Sequence, residues 1–195
     1  REGGEAILLS NPQGELVSGI AYPEQTQDHS YGMHSDSDGE WHYLLTPTPG
    51  AANTTRAFDS PISTNVSLDP PPGFYSGSRD VAMSAEPSDL LEIYYTTNGS
   101  EPTTRSTRYT TPVRITRNTV FRIAGFINGG ERATAVQSSS YFIPGRSFTG
   151  STIDLPVLSI SMPADDFNTV QTNTGARGRG SEREGYWEYF DEDGD

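Results

Sequence analysis

Three histidines, His29, His34 and His42, and the acidic run Asp36, Asp38 and Glu40 crowd into one polar stretch. This is the first place in the chain where side chains able to coordinate a metal or move a proton come close together. His29 and His34 are close enough in sequence to reach one ion from a loop, but no spacing here matches a zinc site, and isolated loop histidines are ordinarily solvated. Asp36, Asp38 and Glu40 around Gly39 look like part of a calcium loop, in which alternate carboxylates converge on one ion. The full loop with its closing bidentate Glu is absent, and Asp38-Gly39 reads better as a hairpin turn. The same two readings apply to Asp191, Asp193 and Asp195, where Asp193-Gly194 is a tight-turn dipeptide.

Gly175-Ala176-Arg177-Gly178-Arg179-Gly180 invites comparison with a phosphate-cradling loop, with Arg177 and Arg179 as cations. Its glycines lie at neither the P-loop nor the dinucleotide offsets, and the run reads better as a flexible solvated loop, where Gly and Arg are ordinary. A serine nucleophile has little to build on: no G-x-S-x-G occurs, and all histidines lie in one region. Among 26 acidic residues some carboxylate pair is inevitable, and nothing singles out one for glycoside hydrolysis. Sequons at Asn53, Asn65 and Asn98 fit glycosylation chemistry, yet Ser/Thr-rich sequence produces them by chance. Tyr94, Tyr95, Tyr109 and Phe121 supply either a flat platform for pyranose faces or the core of a small sandwich. No catalytic, cofactor-binding or metal-binding residue is assigned.

Composition narrows the partners. The 195 residues carry a net charge of −13, and all 13 basic residues are Arg. Nucleic acid and anionic membrane are excluded as partners, because both require a Lys/Arg surface that displaces counterions. Hydrophobic content of 32% is low, but ten Tyr, eight Phe and two Trp argue for ordered β-structure with long loops over disorder. Cysteine is absent, so neither disulfides nor thiolate metal sites are available. No apolar run approaches the ~18 residues that a membrane span needs.

The elements that must position these residues read as extended strands. Glu5 to Leu9 and Leu16 to Tyr22 flank the strong turn Asn11-Pro12-Gln13-Gly14 and predict a hairpin. Short extended pieces at 30–33 and 41–44 follow. Residues 54–72, with Pro61, Pro70, Pro71 and Pro72, predict a stiff linker. Val81, Met83 and Ala85 alternate toward one face. Ile93 to Thr96 is β-branched and aromatic, Asn98-Gly99 and Glu101-Pro102 end that strand, and Val113 to Ile115 and Val120 to Phe126 follow across Arg117-Asn118. The expectation is an antiparallel meander closed by a strand over 136–143. Beyond a second boundary at 144–147, Leu155 to Ser161 predicts another strand, and Ala164-Asp165-Asp166-Phe167 a helix start with acids at its positive end.

The run Tyr94-Tyr95-Thr96-Thr97-Asn98-Gly99-Ser100-Glu101-Pro102-Thr103, with Tyr109-Thr110-Thr111-Pro112 and Thr119-Val120-Phe121-Arg122-Ile123-Ala124, resembles the chitobiase/β-hexosaminidase C-terminal domain. That resemblance implies a small immunoglobulin-like module of secreted bacterial proteins, without catalytic residues. Leu9 to Val17 with Tyr22, Ser30-Tyr31-Gly32, Trp41 and the closing T-P-T-P-G-A-A-N at 46–53 resemble the C-terminal half of a bacterial lamin-tail domain, which implies an adhesive or spacing sandwich. The front half that would cover Ile7, Leu9, Val17 and Ile20 is missing. L-P-V-L-S-I at 155–160, Asp165-Asp166-Phe167 and E-R-E-G-Y-W-E-Y-F-D-E-D-G at 182–194 resemble the opening of a CotH-type atypical kinase domain.

The fold expected is all-β: immunoglobulin-like sandwiches in tandem with a partial domain at each end. The divisions are a lamin-tail half over 1–53, a linker over 54–72, a chitobiase C-terminal-like sandwich over 73–143, and a linker with the kinase start over 144–195. The function expected is a non-catalytic spacer or interaction region of a secreted or cell-surface protein whose downstream domain is a CotH-type kinase. The alternative is a carbohydrate-binding accessory module of a polysaccharide-degrading enzyme. The kinase chemistry needs a nucleotide-binding Lys, and none exists here, so this stretch alone is not expected to be an enzyme. No cofactor is expected, and the partners expected are other domains of the same polypeptide, glycans or surface proteins.

Overall fold

The computed structural model describes residues 4–25, 29–36, 39–127, 130–143, 156–172, 175 and 182–191. The chain divides into two compact units, Arg1–Thr64 and Asn65–Asp195.

The first unit opens with a hairpin of β1 (Glu5–Ser10) and β2 (Leu16–Tyr22). Its turn is held by the Asn11 side chain, whose Oδ1 accepts from the amides of Gln13 at 3.1 Å and Glu15 at 2.9 Å, while Gly14 takes the left-handed φ of 85°. Strands β3 (Ser30–Met33), β4 (Trp41–Leu44) and β5 (Ala57–Phe58) form a separate sheet around Tyr43, Leu44, Phe58 and Ile62. On this hairpin Ile7, Leu8, Leu9, Leu16 and Val17 are exposed.

The second unit contains β6 (Ser67–Asp69), β7 (Gly73–Phe74), β8 (Arg79–Ser84), β9 (Leu91–Thr96), β10 (Thr107–Arg108), β11 (Val113–Ile115), β12 (Thr119–Ile127) and β13 (Gln137–Phe142). A five-stranded sheet of order β10-β9-β12-β13-β7 faces a three-stranded sheet of order β11-β8-β6. Between them lie Val81, Met83, Ile115, Phe121 and Ile123, all buried, with the rings of Tyr95 and Tyr141 edge-on to Phe121 at 5.5 and 5.8 Å. Residues of β12 with odd numbers point into this core, and Arg122, Ala124 and Phe126 point to the outer face. Both faces are covered, which is why β12 reads as a continuous buried run.

Two expectations require correction. Strands β11 and β12 are not meander partners: β11 pairs with β8 in the opposite sheet, and Thr116-Arg117-Asn118 carries the chain from one sheet to the other. Val113 and Ile115 complete the smaller sheet beside Val81, burial that pairing with β12 would forfeit. Residues 54–72 are not simply a linker either, because β5 pairs with β4 and Leu68 of β6 pairs with Met83 of β8.

Residues 156–172 and 182–191 add an antiparallel strand pair, β14 (Val157–Ser161) with β15 (Tyr186–Phe190), and the helix α1 (Ala164–Thr172). Even-numbered residues of β15 and odd-numbered residues of β14 lie against the outer face of the five-stranded sheet. Leu158, Ile160, Trp187 and Tyr189 point away from it and are exposed.

Candidate binding groove

Where the second unit's loops meet residues 160–168, a groove of about 730 Å³ opens. Its sandwich side is the β9–β10 turn at Asn98-Gly99 and the crossover at Thr116-Arg117-Asn118; its other side is Ile160 to Met162 and the first turns of α1. The turn is shaped by Asn98, whose Oδ1 accepts from Ser100 N at 3.2 Å and Ser100 Oγ at 2.7 Å. Gly99 is required twice over. It adopts φ +82°, and a Cβ there would stand 2.1 Å from the carbonyl oxygen of Met162. Asn118 spends its Oδ1 on the amide of Ile143 at 2.8 Å, which locks the crossover against the end of β13.

The chemistry of the lining is amide and hydroxyl with an apolar edge. Asn98, Asn118 and Asn168 contribute amides, Thr97, Thr116 and Thr119 hydroxyls, and Phe167 a half-exposed ring. Among the described residues no carboxylate and no histidine lines it, although the chain carries 26 acidic residues. Arg114 is neutralised by Asp80 at 3.2 Å, whereas Arg117 is exposed and forms no ion pair among the described residues. Such a set can hold a polyhydroxylated ligand by hydrogen bonds and stacking.

The strand pair above the sheet has its own electrostatics. Arg122 is wholly buried, its guanidinium lies 3.1 Å from the centroid of the Tyr186 ring, and among the described residues its nitrogens meet no well-aligned hydrogen-bond acceptor. Burial first, then the hydrogen bond that Tyr186 donates to Glu184, raise the pKa of this phenol, against the opposing charge of Arg122. Tyr141, which donates to the Pro70 carbonyl at 2.7 Å, is pushed well above the ordinary tyrosine value, chiefly by burial.

The residues singled out from the sequence fare differently. His34 Nδ1 accepts from the Asp36 amide at 3.2 Å, and His42 Nδ1 lies 3.1 Å from Asp59. Among the described residues no three His, Cys, Asp or Glu side chains converge. Asp38, Arg177, Arg179, Asp193 and Asp195 lie outside the described residues. The four aromatics do not form a platform: Tyr94 packs edge-on to Phe126 on one face of the sheet and Tyr95 edge-on to Phe121 on the other, as neighbours along a strand must. Tyr109 is half-buried. Of the sequons, Asn53 donates its Nδ2 to the Met33 carbonyl at 2.9 Å and Asn98 serves its turn. Arg117, Phe167 and Asn168 were not foreseen; nothing in their local sequence shows that a crossover and a helix start share one groove.

These features define an all-β protein built around an immunoglobulin-like sandwich. Residues 70–138, which make up most of that sandwich, match the family model of the chitobiase/β-hexosaminidase C-terminal domain, and over that stretch the chain is similar to it. No curated protein and no solved structure matches the chain. The lamin-tail reading of 1–53 and the CotH reading of 144–195 gain no support from these comparisons. Among the described residues, no helix is long and apolar enough to cross a membrane.

Proposed function

We propose that this chain is a non-catalytic accessory region of an extracellular or cell-surface protein and that its groove binds a glycan. The observation that carries the reading is a concave surface of about 730 Å³ whose described lining is amides, hydroxyls and one exposed ring, with no carboxylate among the described residues in a chain of charge −13. Sugars are bound by neutral donors and acceptors around an apolar face, and a carboxylate-free lining also admits an acidic saccharide beside Arg117. The likeness of residues 70–138 to a domain described from chitobiase and β-hexosaminidase supports the same class of partner.

Affinity electrophoresis of the full chain through gels containing chitin or other polysaccharides tests this. Retardation that is lost in Phe167→Ala or Asn168→Ala is expected, because each removes a contact without touching the sandwich core. Unretarded migration in every glycan gel overturns the reading.

The spacer reading, with a CotH-type kinase downstream, rests on a different observation. Leu158, Ile160, Trp187 and Tyr189 form an apolar face turned away from the sandwich, a suitable seat for a further domain of the same polypeptide. It predicts no glycan retardation.

A further inference from the structure

We propose that the β14–β15 strand pair and α1 together form a strap belonging to the sandwich, that the strap completes the groove, and that the Glu188 carboxylate is its latch. This rests on the groove reading above for its ligand, but not for the latch.

The strap and the sheet match rung by rung. At one end Phe190 is buried edge-on to Phe74 and Phe142, at ring distances of 5.8 and 5.4 Å. In the middle, Ser140 Oγ meets Ser159 Oγ at 2.7 Å, and Ser138 Oγ meets Ser161 Oγ at 3.0 Å. At the far end Tyr186 covers the guanidinium of Arg122. Apolar, hydroxyl and cation–ring rungs each find their counterpart in only one register. A slip by one residue would put Leu158 or Trp187 on serines and leave Arg122 buried without its ring.

Glu188 closes the middle rung and solves an edge problem. Strand β7 pairs with β13 only at Tyr141 and Phe142, so the amide of Ser140 emerges beyond its end with no strand partner. Glu188 Oε1 accepts that N–H at 3.0 Å, and Oε2 accepts from Ser140 Oγ at 2.5 Å. A charge-assisted pair on one residue is the strongest polar tie between strap and sheet. It also blocks a strand edge otherwise open to pairing. The consequence reaches the groove, because docking in this register sets the Met162 carbonyl against Gly99 and brings Phe167 and Asn168 to face the Asn98 turn. One wall of the site is therefore borrowed from the strap.

Amide hydrogen exchange of the full chain tests the latch, with glycan retention measured in parallel. In Glu188→Ala the Ser140 amide and those of β14 are expected to exchange roughly tenfold faster, while Phe121 and Ile123 in the sandwich core keep their protection. Glu188→Gln, which keeps an acceptor oxygen and the side-chain shape, is expected to fall between. Unchanged exchange at Ser140 and β14 in the Ala variant overturns the latch. Faster exchange with undiminished glycan retention overturns the claim that the strap completes the groove. If the unmodified chain is retained by no glycan, the glycan reading fails, and the exchange data decide the latch.

Discussion

Arg122 carries a charge that meets no well-aligned hydrogen-bond acceptor among the described residues, in a place without water-exposed surface, which is costly unless the ring of Tyr186 offsets it. Replacing such a cation by an apolar chain of similar length is often neutral or stabilising. Arg122→Met is therefore expected to leave stability unchanged or raise it by about 1 kcal/mol. Tyr186→Ala should cost about 2 kcal/mol, because it uncovers the cation. In the Arg122→Met background the same Tyr186→Ala change should cost clearly less, and chemical denaturation of the four species measures that coupling. If the two substitutions add, the stack is incidental. Tyr141 contributes to the alkaline response of stability. Its folded pKa lies above the ordinary 10.0, so the folded state favours the neutral phenol; its contribution is complete below that pH and is lost as pH rises beyond it. Tyr141→Phe should cost about 1 kcal/mol near neutrality through the lost bond to Pro70, yet give a shallower loss of stability above pH 10. A denaturation midpoint followed from pH 8 to 12 checks both signs.

At the level of elements, the β9–β10 turn and the end of β14 are fitted to each other at Gly99. Gly99→Ala forces a left-handed alanine and a Cβ into the Met162 carbonyl, and since that atom is backbone, the strap has to shift. The substitution is expected to raise amide exchange in β14 and the start of α1 while sparing β12. Exchange that rises equally throughout the sandwich would mean that the turn, not the strap, fails. The same scale explains the meander error. Alternation in Val113 to Ile115 correctly shows an extended strand, but alternation is blind to which sheet will take it. Strand β10 escaped notice altogether because its two residues, Thr107 and Arg108, owe their strand geometry to pairing with Tyr95 and Tyr94 rather than to local preference.

Across the whole molecule, the division at 64/65 falls within the stretch read as linker, and each side has its own buried residues, Leu44 and Ile62 in one and Val81 and Ile123 in the other. Independent cores unfold independently. A chain of residues 65–195 is expected to melt within a few degrees of the transition that residues 65–195 show in the full chain, followed by near-UV circular dichroism. A drop well beyond that would show that the first unit contributes to the second unit's core. In the first unit Ile7, Leu9 and Val17 are exposed on a two-stranded hairpin, an arrangement of marginal stability by itself.

The amino-acid sequence alone determined the local elements: the Asn11 and Asn98 turns, the strands on either side of them, the helix that begins near Asp165, and the sandwich that residues 94–124 announce. Each of these follows from short-range rules, φ preference, side-chain alternation and capping, that neighbouring residues settle among themselves. What only the tertiary structure decided is which faces meet. Ser140 with Glu188, Arg122 with Tyr186 and Gly99 with Met162 are separated by tens of residues, and each partner alone reads as an ordinary strand or turn residue. Their pairing depends on one docking register that buries Phe190, satisfies the Ser140 amide and covers a cation simultaneously, and the groove exists only as its by-product.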